Sequence, residues 1–256
     1  MLTKNELKYF SSLNQKKFRN KENKFIVEGS KIVDEGLNSS FSCELVLITN
    51  KYFEENQDYI KRIIKKNLRL EVLKNQEFSK LTDTVNPQGI AAVFDKPAEN
   101  GKANDNLSSK IIVCLDNISD PGNLGTIIRN SDWFGIKEIL FINNCADIYN
   151  PKSIRACMGS IFHLKTFEDT KIERVIKLKK SGYKILCSDL TGNNIYSYTP
   201  TGKSIIVFSN EATGPSPEIL SLADDKITIP KTGNAESLNV ASASAVILAL
   251  YTSHMT

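Results

Sequence analysis

From residue 110 onward the sequence alternates short apolar runs with helix-patterned segments, and this alternation restricts the possible folds more than any other feature. The runs 111–115, 138–142, 184–187, 204–208 and 226–229 read as strands, and the segments 123–134, 151–161, 170–181, 216–223 and 238–251 read as helices. Strands that stay apolar throughout, each followed by a helix, predict a mostly parallel sheet covered on both faces. Ligands of such sheets bind outside the carboxyl ends of the strands.

The first part of the chain has a different pattern. Residues 1–24 are polar and basic, with Leu2, Leu7, Phe10, Leu13 and Phe18 at roughly helical spacing. Strand candidates follow at 25–27, 45–48, 70–73 and 89–94, with helices at 32–37 and 52–66. We read a small α/β/α domain over 1–96, a polar, turn-rich linker over 97–109 and the parallel α/β domain over 110–256. With 41% hydrophobic and 24% charged residues, the chain has the composition of a globular protein with a substantial core.

Charge distribution is more informative than net charge. Residues 1–31 carry eight Lys or Arg against three Glu, a surplus larger than the +4 of the whole chain. The same residues suit a polyanion-binding arm, with Lys16, Lys17 and Arg19 among its contacts, or a solvated basic helix surface. Five cysteines form no CxxC pair, and three lie in or beside apolar runs, which reads as reduced core thiols in a cytoplasmic protein. With only His163 and His254, a histidine-based metal site or triad is not expected. No signal peptide is read, and the apolar stretch 240–251 is too short and serine-interrupted to span a bilayer.

Three segments at predicted strand ends carry candidate chemistry. In the first, Asp120-Pro121-Gly122-Asn123-Leu124-Gly125 opens a helix that Asn123 is expected to cap. Leu124, Ile127, Ile128 and Ser131 share one face of it, and Arg129 points away, over the ground left bare by Gly125. This suits an anion such as phosphate, and equally a plain surface arginine. In the second, Ser209-Asn210-Glu211-Ala212-Thr213-Gly214 follows a buried strand and precedes a Ser216-Pro217 helix start. Glu211 then sits where an α/β site places a functional carboxylate, or serves as a loop carboxylate satisfied by amides. In the third, Ile229-Pro230-Lys231-Thr232-Gly233-Asn234-Ala235-Glu236-Ser237-Leu238-Asn239 is a polar loop before an apolar helix, with Ser237 as expected cap. Asn150-Pro151-Lys152 starts a plain helix, Trp133-Phe134 suits a core or an interface, and His163 reads as structural.

Taken together, these three segments resemble the motifs of the SpoU/TrmH family of RNA ribose 2′-O-methyltransferases in the SPOUT superfamily. The N-terminal part is similar to that family's ribosomal-protein-like substrate-binding domain, through Leu13–Arg19, Phe25–Gly29 and Pro87–Ala91. The resemblance implies a trefoil-knot domain, a homodimer, S-adenosyl-L-methionine as cofactor and RNA, ribosomal or transfer, as substrate. By motif match, Ser209, Asn210, Gly214, Ile229, Pro230 and Leu238 fall at cofactor-binding positions, and Asn123, Arg129, Glu211, Ser237 and Asn239 at catalytic ones. The arginine serves the partner subunit's site in that family. Ser209 and Lys231 stand where the family usually has glycine and methionine. No metal is implied. The rival expectation is a non-catalytic RNA-binding or ribosome-assembly protein on the same scaffold.

Overall fold

The computed structural model describes residues 2–97 and 107–254, so most of the expected linker, residues 98–106, lies outside the described residues. The chain divides into two compact units.

In the first unit, Thr3 caps α1 (Lys4–Ser12) through a capping box with Glu6. Then come α2 (Lys16–Glu22), β1 (Lys24–Glu28), α3 (Ser30–Leu37), β2 (Cys43–Thr49), α4 (Asn50–Glu55), α5 (Gln57–Lys65), β3 (Leu70–Leu73), α6 (Asn75–Phe78) and β4 (Ile90–Asp95). The helix expected over 52–66 is two helices, because Asn56 takes a non-helical φ of −127° with ψ 39°. The four strands form one sheet in the order β1-β4-β2-β3, antiparallel except for the β2–β3 pair. One face packs on Phe10, Leu13, Phe78 and Leu81. Gly36 lets α3 lie close to the other side, where a Cβ would stand 2.4 Å from the Phe94 ring.

In the second unit the elements are β5 (Ile111–Asp116), α7 (Pro121–Trp133) and β6 (Glu138–Ile142). The chain then leaves this unit for Tyr149–Phe162, which contains α8 (Pro151–Cys157) and belongs by its contacts to the first unit. There Phe25 packs on Tyr149 and Phe162, with ring centroids 4.6 and 6.1 Å away. The sequence reading had placed this segment in the second domain. The second unit resumes with β7 (Lys165–Phe167), α9 (Ile172–Lys180), β8 (Tyr183–Asn194), β9 (Lys203–Ser209), α10 (Pro217–Leu222), β10 (Asp225–Thr228) and α11 (Val240–Ser253).

As the alternation predicts, these six strands form a parallel sheet, ordered β10-β8-β9-β5-β6-β7. The order reverses beside β5, which makes the β5–β9 boundary a topological switch point. Register brings Asp116, Ser209 and Ile142 to the same level at the carboxyl ends. The core is Ile112, Cys114, Leu140, Ile185, Val207 and their neighbours. Among the described residues no helix is long and apolar enough to cross a membrane.

Candidate active site

The candidate site forms at that switch point from three loops. The first follows β5. Asp120, not Asn123, caps α7: its Oδ1 accepts the Asn123 N–H at 2.8 Å, and Pro121 occupies the first turn. This corrects the sequence expectation, and it has a consequence. Asn123 sits one turn into the helix with its side chain free to reach across to the other loops.

The third loop ends in a similar way. Asn239, not Ser237, caps α11: its Oδ1 accepts from Ala241 N and Ser242 N at 3.0 and 3.3 Å. Its Nδ2 donates to Asn123 Oδ1 at 2.9 Å. Glu211, from the second loop, takes the first helical N–H, with Val240 N donating to Oε1 at 2.6 Å, while Asn123 Nδ2 donates to the same oxygen at 3.4 Å. A carboxylate and an amide cap thus satisfy the exposed N–H groups at the start of α11 and complement the positive end of its dipole. Asn123, Glu211 and Asn239, separated widely in sequence, become one hydrogen-bonded cluster.

Arg129 lies outside this cluster. It is exposed on α7 and makes no hydrogen bond or ion pair among the described residues. Its neighbour Asn130 faces the other way and donates to Ala241 O and Ser244 Oγ, both at 2.9 Å, pinning α7 to α11. Leu124, Ile127, Ile128 and Ser131 are buried, as expected. Gly125 is buried as well, which corrects the expectation of bare exposed backbone, since it lies on the covered side with Leu124 and Ile128. Ser237 is exposed and bonds to nothing among the described residues.

The second loop is held from below by a group that sequence reasoning missed. Asp116, fully buried at the end of β5, accepts from Asn143 Nδ2 at 2.8 Å and Ser216 N at 2.7 Å. Its carbonyl accepts from Asn210 N at 3.2 Å. Asn210 closes the loop on itself, accepting Ala212 N at 2.9 Å through Oδ1 and donating to Asn117 O at 3.3 Å. Gly214 supplies the positive φ, +67°, that the turn needs, and a Cβ there would meet nothing within 4 Å. The available signal was a lone carboxylate ending an otherwise apolar strand. Ser209 is 8% exposed, opposite Asp116 in the ladder. Beside them Cys145 Sγ accepts Ile118 N at 3.4 Å, and burial pushes its thiol up to about 11. All five cysteines are free.

Ile229 is half-buried, Pro230 exposed and Leu238 51% exposed. From 230 to 238 no backbone or side-chain group is hydrogen-bonded among the described residues. The loop therefore offers a run of open donors and acceptors flanked by apolar side chains, a combination suited to a small molecule with both polar and flat apolar parts.

Of the expected RNA contacts, Lys16 and Lys17 are exposed on α2. Arg19 is not. It is 1% exposed and donates to Leu13 O at 2.9 Å, so its guanidinium holds α1 to α2 within the core. Trp133 is 83% exposed, so it is not core within this chain. His163 pairs with Asp132 at 2.8 Å, in keeping with a structural residue.

The SpoU rRNA Methylase family model matches residues 110–249, and the model of an MRM3-like substrate binding domain matches residues 4–92. The chain is 31% identical over 244 residues to the 23S rRNA (guanosine(2553)-2′-O)-methyltransferase RlmP of Bacillus subtilis, spanning 95% of this chain and 94% of that protein. It superposes on an AdoMet-bound rRNA methyltransferase from Sinorhizobium meliloti with a TM-score of 0.85 at 27% identity, covering 100% of this chain and 97% of the other. The SpoU methyltransferase AviRb of Streptomyces viridochromogenes shares the fold, with a TM-score of 0.88 at 21% identity over 99% of this chain and 98% of that one. With a family model over more than half its length and a relative matched nearly end to end, the chain belongs to the SpoU rRNA methylase family.

Proposed function

We propose that this chain transfers a methyl group from S-adenosyl-L-methionine to a ribose 2′-hydroxyl of ribosomal RNA, acting as a cytoplasmic homodimer. The observation that carries the reading is the cluster of Asn123, Glu211 and Asn239, one residue from each of three loops, at the carboxyl edge of a parallel sheet. The RNA class follows from the relatives, whose printed substrates are ribosomal.

The residues present fit the cofactor. The loop 230–238, with its unpaired backbone groups, and the half-exposed side chains of Ile229 and Leu238 match a molecule that combines an amino acid with a flat base. Ser209, Asn210 and Gly214 would form one wall, and Ile229, Pro230 and Leu238 the other. Bound there, S-adenosyl-L-methionine supplies a methyl on a positively charged sulfur.

The chain's own residues then have to position and polarise the hydroxyl. A guanidinium is a permanent cation, so Arg129 does not act as a base. It binds the adjacent phosphate and stabilises the negative charge that develops on the 2′-oxygen. Asn123 and Asn239 orient the hydroxyl, Ser237 lies within the same loop, and Glu211 holds the start of α11 in place. An exposed arginine without a partner among the described residues suits service in the partner subunit's site, which supports a dimer.

The test is labelled-methyl transfer onto RNA from a strain lacking the protein, followed by mapping of 2′-O-methyl positions. Incorporation at one ribosomal position is expected. Arg129→Ala should reduce turnover by roughly 10²–10³-fold with cofactor affinity unchanged, the usual cost of removing one charge-stabilising donor. Near-normal turnover of Arg129→Lys would rule out a bidentate role. Absence of both transfer and calorimetric cofactor binding at millimolar concentration would favour a non-catalytic RNA-binding protein.

A further inference from the structure

The first unit contains a cleft of about 460 Å³ that none of the site residues above touches. Its floor is Thr49, Tyr52, Phe78 and Gly89, all buried. Its rim is Lys51, Glu55, Asn75, Gln76, Ser79, Pro87 and Gln88, all exposed. The volume lies within the roughly 300–1,000 Å³ typical of small-molecule sites.

The shape is built by the fold. Gly89 has φ +82°, and a Cβ there would stand 2.7 Å from Thr49 Oγ1, so only glycine leaves this floor open. Tyr52 is fixed by a 2.9 Å hydrogen bond between its hydroxyl and Ser30 Oγ. Gln88 is fixed through its Oε1, which accepts Ser30 N at 3.1 Å, and this leaves its Nε2 open.

The rim chemistry narrows the ligand. The side-chain amides of Asn75 and Gln76 make no hydrogen bond among the described residues. Together with Gln88 Nε2 they present paired neutral donors and acceptors, the complement of a nucleobase edge. Lys51 adds a cation held only loosely, 3.8 Å from Glu55. Pro87 adds a flat apolar wall, and Val85, on the same loop, is 96% exposed. Because the two aromatic rings are buried in the floor, recognition falls to the rim amides and not to stacking on an open ring. A duplex hides its base edges, whereas an unpaired nucleotide offers both its edge and its phosphate.

We propose that this cleft receives one unpaired nucleotide of the RNA substrate, read at its base edge by Asn75, Gln76 and Gln88, with its phosphate near Lys51. The inference rests on the RNA-directed reading above, and it assigns to the first unit a base-selective role that a basic surface alone would not have.

The test uses the full chain with ribosomal RNA from a strain lacking the protein, labelled with 4-thiouridine for crosslinking. Crosslinks are expected on peptides containing Asn75–Ser79 or Pro87–Gly89. N75A/Q76A, which alters only exposed side chains, should raise KM for RNA roughly tenfold, as loss of two modest hydrogen bonds predicts. Its kcat and cofactor affinity should stay unchanged. Lys61→Ala, an exposed lysine on α5 outside the cleft, should shift KM less than about twofold. Crosslinks confined to other elements, or a KM for N75A/Q76A within twofold of wild type, would overturn the proposal. If the wild type transfers no methyl at all, the catalytic reading fails, while crosslinking and filter binding of the same variants still decide whether the cleft holds RNA.

Discussion

The loops after β9 and β10 leave the same sheet edge and are held in opposite ways. The first, from Ser209 to Ser216, is fixed by its own chain: Asp116 grips Ser216 N–H and Asn143, and Asn210 bonds within the loop and to Asn117. The second is anchored at its far end by Asn239 and Glu211, yet residues 230–238 bond to nothing among the described residues. One wall of the candidate site is therefore held by its own chain, and the other has no hydrogen bond of its own between residues 230 and 238 among the described residues. A wall fixed by its own hydrogen bonds needs less ordering on binding than one without them.

The largest expected effect lies on the rigid side. Asp116→Ala leaves Ser216 N–H and the Asn143 amide without their buried acceptor, which should cost about 2–3 kcal/mol of unfolding free energy and lower Tm correspondingly. Cofactor affinity should weaken as well, because the Ser209–Ser216 wall loses its support. A stable Asp116→Ala variant with normal affinity would show that this wall is held by something else.

The comparison next predicts hydrogen exchange. In the free protein, amides of 231–238 should exchange near the unprotected rate, whereas Asn210 N–H and Gly214 N–H, each hydrogen-bonded, should be slowed. Saturating S-adenosyl-L-methionine should slow the 231–238 set by roughly tenfold or more and change the Asn210 set little. Equal protection of both loops without cofactor would remove the distinction.

The contrast between the loops also explains what the sequence could disclose. Strand existence was legible because buried parallel strands are apolar along their length, with one carboxylate at an end in each of Ile111–Asp116 and Glu138–Ile142. Their order was not, since β9 comes beside β5 only through long-range pairing. β8 was read as 184–187, although it runs on to Asn194, because its polar second half pairs only with β10. There Gly192 permits an approach in which a Cβ would lie 2.6 Å from Lys226 backbone. Both caps were misplaced by two or three residues, as Asp120 and Asn239 are each near an equally good capping residue. Arg19 was misread because a positive charge in a basic segment looks solvent-facing, and only packing shows that Leu13 O claims it. The candidate site residues Asn123, Glu211 and Asn239 were visible as motifs, and their mutual bonds were not.

A smaller effect is expected where the unbonded wall is anchored. Asn239→Ala removes the α11 cap and the partner of Asn123, at about 1 kcal/mol. Asn239→Asp keeps an acceptor for the cap but lacks the Nδ2 donor, so it should recover most of the stability and not the link to Asn123. If both variants lose the same stability, the Asn123 contact and not the cap carries the effect.

The smallest effect concerns the strand that delivers the unbonded loop. Asp189 on β8 meets Lys226 on β10 at 2.8 Å. Burial works against the Asp189 carboxylate, but Lys226 and the Thr191 N–H outweigh it and hold the group below its usual range. A carboxyl lowered on folding contributes stability that is present above the unfolded pKa, about 3.9, and lost as pH falls through the folded value. The partner ammonium is raised, chiefly by its bond to Asp189, so its share is present below about 10.4 and lost as pH rises through the folded value. Lys226→Met should therefore destabilise the protein most between about pH 4 and 10. The difference from wild type is small, because solvent screens a surface pair, and should shrink at both ends of a pH series of denaturant melts. A difference that stays constant with pH would mean that the β8–β10 pairing is held by its backbone ladder alone, and the anchor of the unbonded wall would then be independent of this charge pair.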